Sequence, residues 1–261
     1  MFIPRADFGY GPKNGKDSKI PEKRIIIFSG AGISQPSGIS TFRDADGLWE
    51  NHKIEEICNE GTWKKNFEAV HDFYNQRRMQ LNEVEPNIAH KTIAKMVDEY
   101  GKDDVYNITQ NIDDLFERAG TEVLHVHGEL TKMECEACGN NWDIGYKAFD
   151  IEKDRCPKCD SLKGVRPKIV FFYGQAPMYS YMLRAFDYTM NPDTIVIIIG
   201  TMGNVVDVNS MLMGTKCKKV LCNMEPSKDL PEDLFDKIYY ESIETAIHKI
   251  EKDVKEWWNK D

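Results

Sequence analysis

The sequence IIIFSGAGIS, residues 25–34, places an apolar run directly before two closely spaced glycines. The run 25–28 predicts a buried strand of a parallel sheet. Gly30 and Gly32 allow the backbone to turn tightly and approach a pyrophosphate, which backbone N–H groups and a helix N-terminus can bind. The general dinucleotide fingerprint needs a third glycine three positions later, whereas the next glycine is Gly38. The loop alone is therefore weak evidence for a nucleotide site.

Apolar runs of this kind recur along the chain and alternate with segments of helical character. Further strands are predicted at residues 105–108, 123–126, 169–172, 195–199 and 220–222. Crossover helices are predicted at residues 87–100, 113–120 and 206–213. This alternation predicts an α/β fold with a doubly wound parallel sheet of the Rossmann type, whose ligand lies at the carboxyl ends of the strands.

Two stretches do not fit this alternation. Residues 49–81 are too long for one βα connection and predict a lobe of several helices, and residues 133–163 carry paired cysteines. We expect both to form a small domain beside a Rossmann-type domain made of residues 20–48, 82–132 and 164–261. The whole chain, 1–261, would then be one catalytic unit with a cleft between its lobes, where a cofactor and a substrate can meet.

Two C-x-x-C pairs are separated by seventeen residues. Each pair presents two thiolates from a tight turn, and zinc takes four such ligands tetrahedrally, which predicts one structural zinc ion held by Cys135, Cys138, Cys156 and Cys159. The alternative, two disulfides, requires an oxidising compartment. Residues 1–23 carry no apolar core typical of a signal peptide, and no run approaches the roughly 20 apolar residues of a membrane span. We therefore expect a soluble, cytoplasmic protein with no membrane partner, in which Cys58, Cys217 and Cys222 are buried or idle thiols.

Composition narrows the class of function further. The 261 residues are 41% hydrophobic, enough to bury a substantial core, and the net charge is −9. Nucleic-acid binding depends mainly on neutralisation of phosphates by Lys and Arg. The acidic balance therefore disfavours a nucleic-acid partner. Length and composition agree with an enzyme-sized globule, which we expect to be monomeric.

Several motifs occur together in a fixed order. They are GAGISQPSGISTFRDADGLW at 30–49, TQNID at 109–113, HG at 127–128, the two C-x-x-C pairs, RPKIVFF at 166–172 and GT at 200–201. From about residue 20 to its C-terminus the chain resembles the sirtuins, which implies an NAD-dependent protein-lysine deacylase with a Rossmann domain and a zinc-bearing small domain. The run around Phe42 to Glu50 further resembles the bacterial branch related to the desuccinylase and demalonylase class.

The resemblance implies a set of NAD contacts. Gly30, Ala31 and Gly32 would bind the diphosphate, and Phe42 and Arg43 would cover the nicotinamide ribose. The nicotinamide pocket would be lined by Gln110, Asn111, Ile112 and Asp113, with Asp113 accepting from the carboxamide. The remaining cofactor contacts would come from Gly200, Thr201, Met202, Asn223 and Glu225, the last two at the adenosine ribose, although residues 223–226 could also be an ordinary turn after a strand.

His127 is the candidate catalytic residue. An imidazole that titrates near neutral pH suits a general base acting on a hydroxyl. In the mechanism that the resemblance implies, the acyl-lysine carbonyl oxygen attacks the anomeric carbon of the nicotinamide ribose, nicotinamide leaves, and His127 deprotonates the ribose hydroxyls. One hydroxyl would then attack the acyl carbon, and hydrolysis by water would release lysine and O-acyl-ADP-ribose. His125, two residues earlier, is assigned no role.

Substrate recognition is predicted at two places. The segment 166–172, with Val170 and Phe171, would pair its backbone with the peptide as an added strand. Tyr74 and Arg77 are three residues apart on a predicted helix and share a face, and a guanidinium with a phenol can bind the carboxylate of a succinyl or malonyl group. The pair resembles the signature of desuccinylase-type sirtuins, and acetyl-lysine would also be a substrate; the alternative is a packed tyrosine beside a surface arginine.

The chain departs from the family pattern in three places. Residues 172–175, FYGQ, replace Phe-Gly-Glu, Met202 replaces a serine, and Asp207 lies near a common proline. These changes leave two other functions open: an NAD glycohydrolase or mono-ADP-ribosyltransferase, and a zinc-stabilised binding module without catalysis. The intact His127, TQNID string and glycine loop argue against the binding module.

Overall fold

The computed structural model describes residues 22–39, 48–49, 52–53 and 57–259, with only the backbone described at 48–49 and 52–53. The predicted cofactor residues Phe42 and Arg43 lie outside these ranges. Within them, no helix is both long enough and apolar enough to cross a membrane.

The strands, in chain order, are β1 (Ile25–Ser29), β2 (Leu48–Trp49), β3 (His52–Lys53), β4 (Val105–Thr109), β5 (Leu124–His125), β6 (Gly128–Cys135), β7 (Asn140–Asp143), β8 (Val165–Ile169), β9 (Ile195–Ile199), β10 (Lys218–Asn223) and β11 (Lys237–Tyr240). The α-helices are α1 (Phe67–Glu83), α2 (Ile88–Tyr100), α3 (Leu115–Arg118), α4 (Tyr179–Phe186), α5 (Val208–Leu212) and α6 (Ile243–Trp258).

The main sheet has six strands in the order β11-β10-β9-β1-β4-β5, and every neighbouring pair is parallel. Side chains alternate between the two faces of a strand, and both faces of β1 are buried. Ile26 and Phe28 pack in one apolar cluster with α4 and α5, while Ile25 and Ile27 pack in another with α2 and α6. The predicted α/β fold with a doubly wound parallel sheet is confirmed.

Helix α2 shows how the sequence sets an element boundary. The side chain of Asn87 accepts hydrogen bonds from the backbone N–H groups of Ala89 and His90, and Gly101 ends the helix at a φ of 99°. A side-chain acceptor at the N-cap and a glycine after the last turn are typical helix boundaries. The helix predicted at 87–100 is therefore confirmed to within one residue.

A second sheet is antiparallel, with strand order β7-β6-β8, and carries the paired cysteines. The prediction of a parallel strand at 169–172 is wrong, because the strand spans Val165–Ile169 and pairs with β6 rather than with the main sheet. Its V-R-P-K-I sequence interleaves charged and apolar residues and so lacks the continuous apolar run of the buried parallel strands, although all of its residues except Lys168 are buried. The continuous apolar run therefore lies mostly after the strand, where Phe172 forms an isolated parallel bridge with Asn59.

Helix α1 lies against this second sheet. In the described part of the segment predicted to hold several helices, 49–81, the structure has the 17-residue helix α1 and the short antiparallel pair of β2 and β3. Asn75 exchanges two hydrogen bonds with the backbone of Phe149, and fully buried Arg78 donates to the carbonyls of Lys147 and Leu130. These bonds attach α1 to the cysteine-bearing segment.

Candidate active site

Two loops meet at the carboxyl edge of the main sheet because the strands that precede them, β1 and β9, are neighbours. The N–H of Gly30 donates to the Ile199 carbonyl at 2.9 Å, and that of Gly32 donates to the Gly200 carbonyl at 3.0 Å. A Cβ atom at Gly32 would lie 2.6 Å from the Gly200 Cα, and Gly200 itself has a φ of 61°. Glycine is therefore required at both positions for the loops to approach.

The TQNID segment joins this glycine loop through a buried polar network. Ser34 Oγ donates to Asp113 Oδ2 at 2.9 Å, and Asn111 Nδ2 donates to Ser34 Oγ at 3.0 Å. Burial raises the pKa of the Asp113 carboxyl, and the hydrogen bond from Ser34 opposes that shift. The structure thus brings together two of the residues predicted to line the nicotinamide pocket. Ser34 was not among the predicted contacts.

Thr201 is held from two sides. Gln110 Nε2 donates to Thr201 Oγ1 at 2.9 Å, while the side-chain amide of Asn223 accepts from the Thr201 N–H and donates to the Thr201 carbonyl. Asn223 is buried and Glu225 is exposed. The predicted contact of Asn223 with an adenosine ribose therefore competes with its bonds to Thr201. Met202, half-buried, accepts at its carbonyl from Ser227.

His127 lies between β5 and β6, beside the TQNID segment. Its Nδ1 is 3.0 Å from the Gln110 carbonyl, and because a carbonyl only accepts hydrogen bonds, Nδ1 carries the proton. In the neutral ring Nε2 then has a lone pair, which accepts from the Tyr179 hydroxyl at 2.8 Å. Burial lowers the pKa of His127 below its ordinary value. The imidazole is neutral at physiological pH, with the nitrogen that can take a proton directed away from Gln110.

Part of the segment 166–172, which was predicted to pair with a peptide, already makes backbone hydrogen bonds within the chain. The Val170 N–H donates to the His127 carbonyl, and the Phe172 N–H donates to the Cys58 carbonyl. Phe171 is 1% exposed and packs against Trp63. Any contact between Phe171 and a substrate must therefore be made by the Phe171 backbone. Arg166, also buried, is 2.8 Å from carboxylate oxygens of Glu60 and Glu134.

Helix α1 places Tyr74 and Arg77 one turn apart. Tyr74 is buried, its ring stacks on Phe171, and its hydroxyl is 3.1 Å from the Cys58 Sγ. Burial raises the pKa of the Cys58 thiol to about 11, so the group stays a neutral thiol. Arg77 is half-buried and donates from Nη1 to Gln80 Oε1 at 3.0 Å. The prediction that Cys58 is a buried or idle thiol is confirmed in its burial, but no spacing in the sequence linked it to Tyr74.

The four cysteines of the second sheet form a compact cluster. All four Sγ atoms lie within 4.8 Å of one another, and the pairs Cys135–Cys159 and Cys138–Cys156 are each separated by 3.7 Å. A tetrahedral zinc ion with bonds of about 2.3 Å requires sulfurs about 3.8 Å apart, whereas a disulfide needs about 2.05 Å. The four side chains fit a tetrahedral zinc ion, and all four are free thiols rather than disulfides.

This arrangement is that of an α/β enzyme with a dinucleotide site at the edge of a parallel sheet and a zinc-stabilised second sheet. The Sir2 family model matches residues 30–207. The chain belongs to the Sir2 family, the sirtuins, as its motifs predicted. The two predicted cofactors, NAD and one structural zinc ion, agree with that family and with the cysteine cluster.

Curated relatives and solved structures cover nearly the whole chain. A protein of Helicobacter hepaticus named NAD-dependent protein deacylase is 41% identical over 255 residues, covering 90% of this chain and 98% of its own. A protein of the same name from Campylobacter jejuni is 44% identical, with coverages of 89% and 96%. The crystal structure of a Sir2 homologue in complex with NAD has a TM-score of 0.76 and 29% identity, with 91% of each chain covered.

Proposed function

We propose that this chain is an NAD-dependent protein-lysine deacylase that prefers succinyl- and malonyl-lysine and also accepts acetyl-lysine. The observation that carries the chemistry is the state of His127, a neutral imidazole whose Nδ1–H is held by the Gln110 carbonyl of the TQNID segment and whose Nε2 has a lone pair. The names of the curated relatives support the deacylase activity, and a Sir2 homologue solved with 2′-O-acetyl ADP ribose supports ADP-ribose as the acyl acceptor.

NAD would supply the electrophilic ribose carbon and nicotinamide as the leaving group. The part of His127 is to take a proton at Nε2 from a ribose hydroxyl, so that the resulting oxygen can attack the acyl carbon. The Gln110 carbonyl holds the Nδ1–H and would stabilise the imidazolium that forms. Because Nε2 has one lone pair, the Tyr179 hydroxyl must leave it before a ribose hydroxyl can bind there.

The acyl preference would come from α1. Arg77 offers a planar guanidinium that can bind a carboxylate through two parallel hydrogen bonds. Its side chain is oriented by Gln80, and it lies over the Phe73 ring with 5.5 Å between the guanidinium carbon and the ring centroid. Tyr74 lies one turn away, with its hydroxyl on Cys58, so its contribution would be to shape the pocket unless that bond is exchanged for one to the acyl carboxylate.

The test compares one peptide carrying acetyl-, succinyl- or malonyl-lysine, with NAD, by mass spectrometry of the released lysine peptide. A bond between charged groups contributes about 1.5–3 kcal/mol, so Arg77→Met should lower kcat/KM for the acidic acyl groups roughly 10- to 150-fold. Activity on acetyl-lysine should change less than about twofold. Arg77→Lys keeps the charge but lacks the planar guanidinium, so its kcat/KM for the acidic acyl groups should lie between those of Arg77→Met and the unaltered chain. Equal losses on all three substrates, or acetyl-lysine as the best substrate of the unaltered chain, would contradict the proposed preference.

A further inference from the structure

His125 makes two hydrogen bonds that together fix its charge. The residue ends β5 and is 8% exposed. Its Nδ1 is 2.7 Å from the Asn111 carbonyl oxygen, and its Nε2 is 2.9 Å from the Glu117 Oε1 atom. A carbonyl and a carboxylate both accept hydrogen bonds, so a ring nitrogen that faces either of them must carry a proton. Both nitrogens of His125 are therefore protonated.

We infer that His125 is a buried imidazolium that positions Asn111 for NAD binding by holding its backbone carbonyl. His125 itself does not touch the cofactor in this scheme; it acts through Asn111. The two histidines of the HVH sequence thus have different states, since His127 accepts at Nε2 and is neutral, whereas His125 donates at both nitrogens and is charged.

The local architecture explains why Asn111 needs this support. β5 is an edge strand of two residues, and only Leu124 and His125 pair with β4. So short a strand provides few backbone bonds to fix the loop beside it. Asn111 is held instead by side chains, with His125 on its carbonyl, Ser34 Oγ on its amide side chain and Thr109 Oγ1 on its N–H.

The charges around His125 favour the imidazolium. Glu117 comes from α3, Asp113 from the loop before that helix, and Glu129 from β6, and all three are acidic. Burial alone would lower the pKa of His125, but the Glu117 carboxylate and the Asn111 carbonyl raise it to about 9. The folded pKa lies above the unfolded value of about 6.5, so this interaction stabilises the fold fully below pH 6.5 and is lost as the pH rises through about 9.

Side-chain ¹⁵N NMR of the zinc-loaded full chain tests the charge directly, and His125→Gln and His127→Gln assign the two signals. At pH 7.5, His125 should show two protonated nitrogens and His127 the neutral form with the proton on Nδ1. A neutral His125 at that pH would overturn the inference. This readout needs no turnover, so it decides the inference even if the proposed deacylase function, on which the kinetic part rests, were to fail.

Kinetics test the positioning role. Above the pKa of about 9, a neutral His125 has one proton, for which the Glu117 carboxylate and the Asn111 carbonyl compete, so the KM for NAD of the unaltered chain should rise roughly tenfold between pH 8 and pH 10. Glu117→Gln removes this competition, because its amide can donate to Nε2 while Nδ1–H stays on the Asn111 carbonyl, so its KM should not rise. Glu122→Gln, a nearby exposed substitution, serves as the control and should change the KM at neither pH. His125→Gln should raise the KM for NAD at both pH values. A rise of the KM for NAD between pH 8 and pH 10 that is as large in Glu117→Gln as in the unaltered chain would overturn the positioning role, and this comparison decides the question if His125→Gln does not fold.

Discussion

The contact between Gly32 and Gly200 gives a quantitative test of the cofactor loop. A Cβ at position 200 would lie 2.6 Å from the Gly32 Cα, 2.7 Å from the Gly32 carbonyl carbon and 2.7 Å from the Ile33 nitrogen. All three atoms belong to the backbone and cannot move aside without shifting the loop. Such overpacking costs about 1–3 kcal/mol, and the left-handed φ of 61° adds about 1–2 kcal/mol for any residue with a Cβ.

Gly214 provides a matched control. Its φ is 74°, but a Cβ there meets nothing within 4 Å, so Gly214→Ala carries the backbone strain alone. The free energy of unfolding, measured by urea denaturation with zinc present, should fall for Gly200→Ala by about 1–3 kcal/mol more than for Gly214→Ala. The KM for NAD should rise only in Gly200→Ala. Equal destabilisation of the two variants would refute the close approach of the two loops.

Three further predictions concern the histidine, the zinc site and the acyl group. Tyr179→Phe removes a donor that stabilises neutral His127, so the pKa of His127 should rise. The acidic limb of the pH profile of kcat/KM should then move to higher pH, and an unmoved limb would show that the hydroxyl does not bind Nε2 in solution. Cys159→Ser should abolish stoichiometric zinc binding and lower the melting temperature, which added zinc should not restore, whereas an unchanged zinc content measured by atomic absorption would exclude the four-cysteine site. Gln80→Glu places a carboxylate beside Arg77, so desuccinylation should fall while deacetylation is retained, and a parallel loss of both would show that Gln80 only stabilises α1.

The parallel sheet could be predicted because its strands are buried on both faces. A continuous apolar run such as 195–199 reads as a buried strand, and β9 has those bounds. β11 was missed because this edge strand is only partly buried and begins with an exposed lysine. Strand β8 was misplaced because the apolar run after it is more hydrophobic than the strand itself.

The site was predictable where one short segment carries the signal. The C-x-x-C spacing alone indicated the cysteine cluster, and the His-Gly pair indicated His127 as the candidate base. Glycine is required at position 128 because a Cβ there would lie 2.1 Å from the Lys168 carbonyl oxygen. The partners of these residues were not predictable. Tyr179 is 52 residues from His127, and the sequence gives no sign that their side chains meet.

The role of His127 is the central claim, and nicotinamide exchange tests it most directly. Attack of the acyl-lysine oxygen and loss of nicotinamide precede the step that needs a base. His127→Ala should therefore still exchange labelled nicotinamide into NAD in the presence of succinyl-peptide, while formation of free lysine and O-succinyl-ADP-ribose falls about 10²- to 10⁴-fold. If deacylation survives in this variant, His127 is not the base. If the unaltered chain releases nicotinamide without any acyl-peptide, the chain is an NAD-cleaving enzyme of another kind.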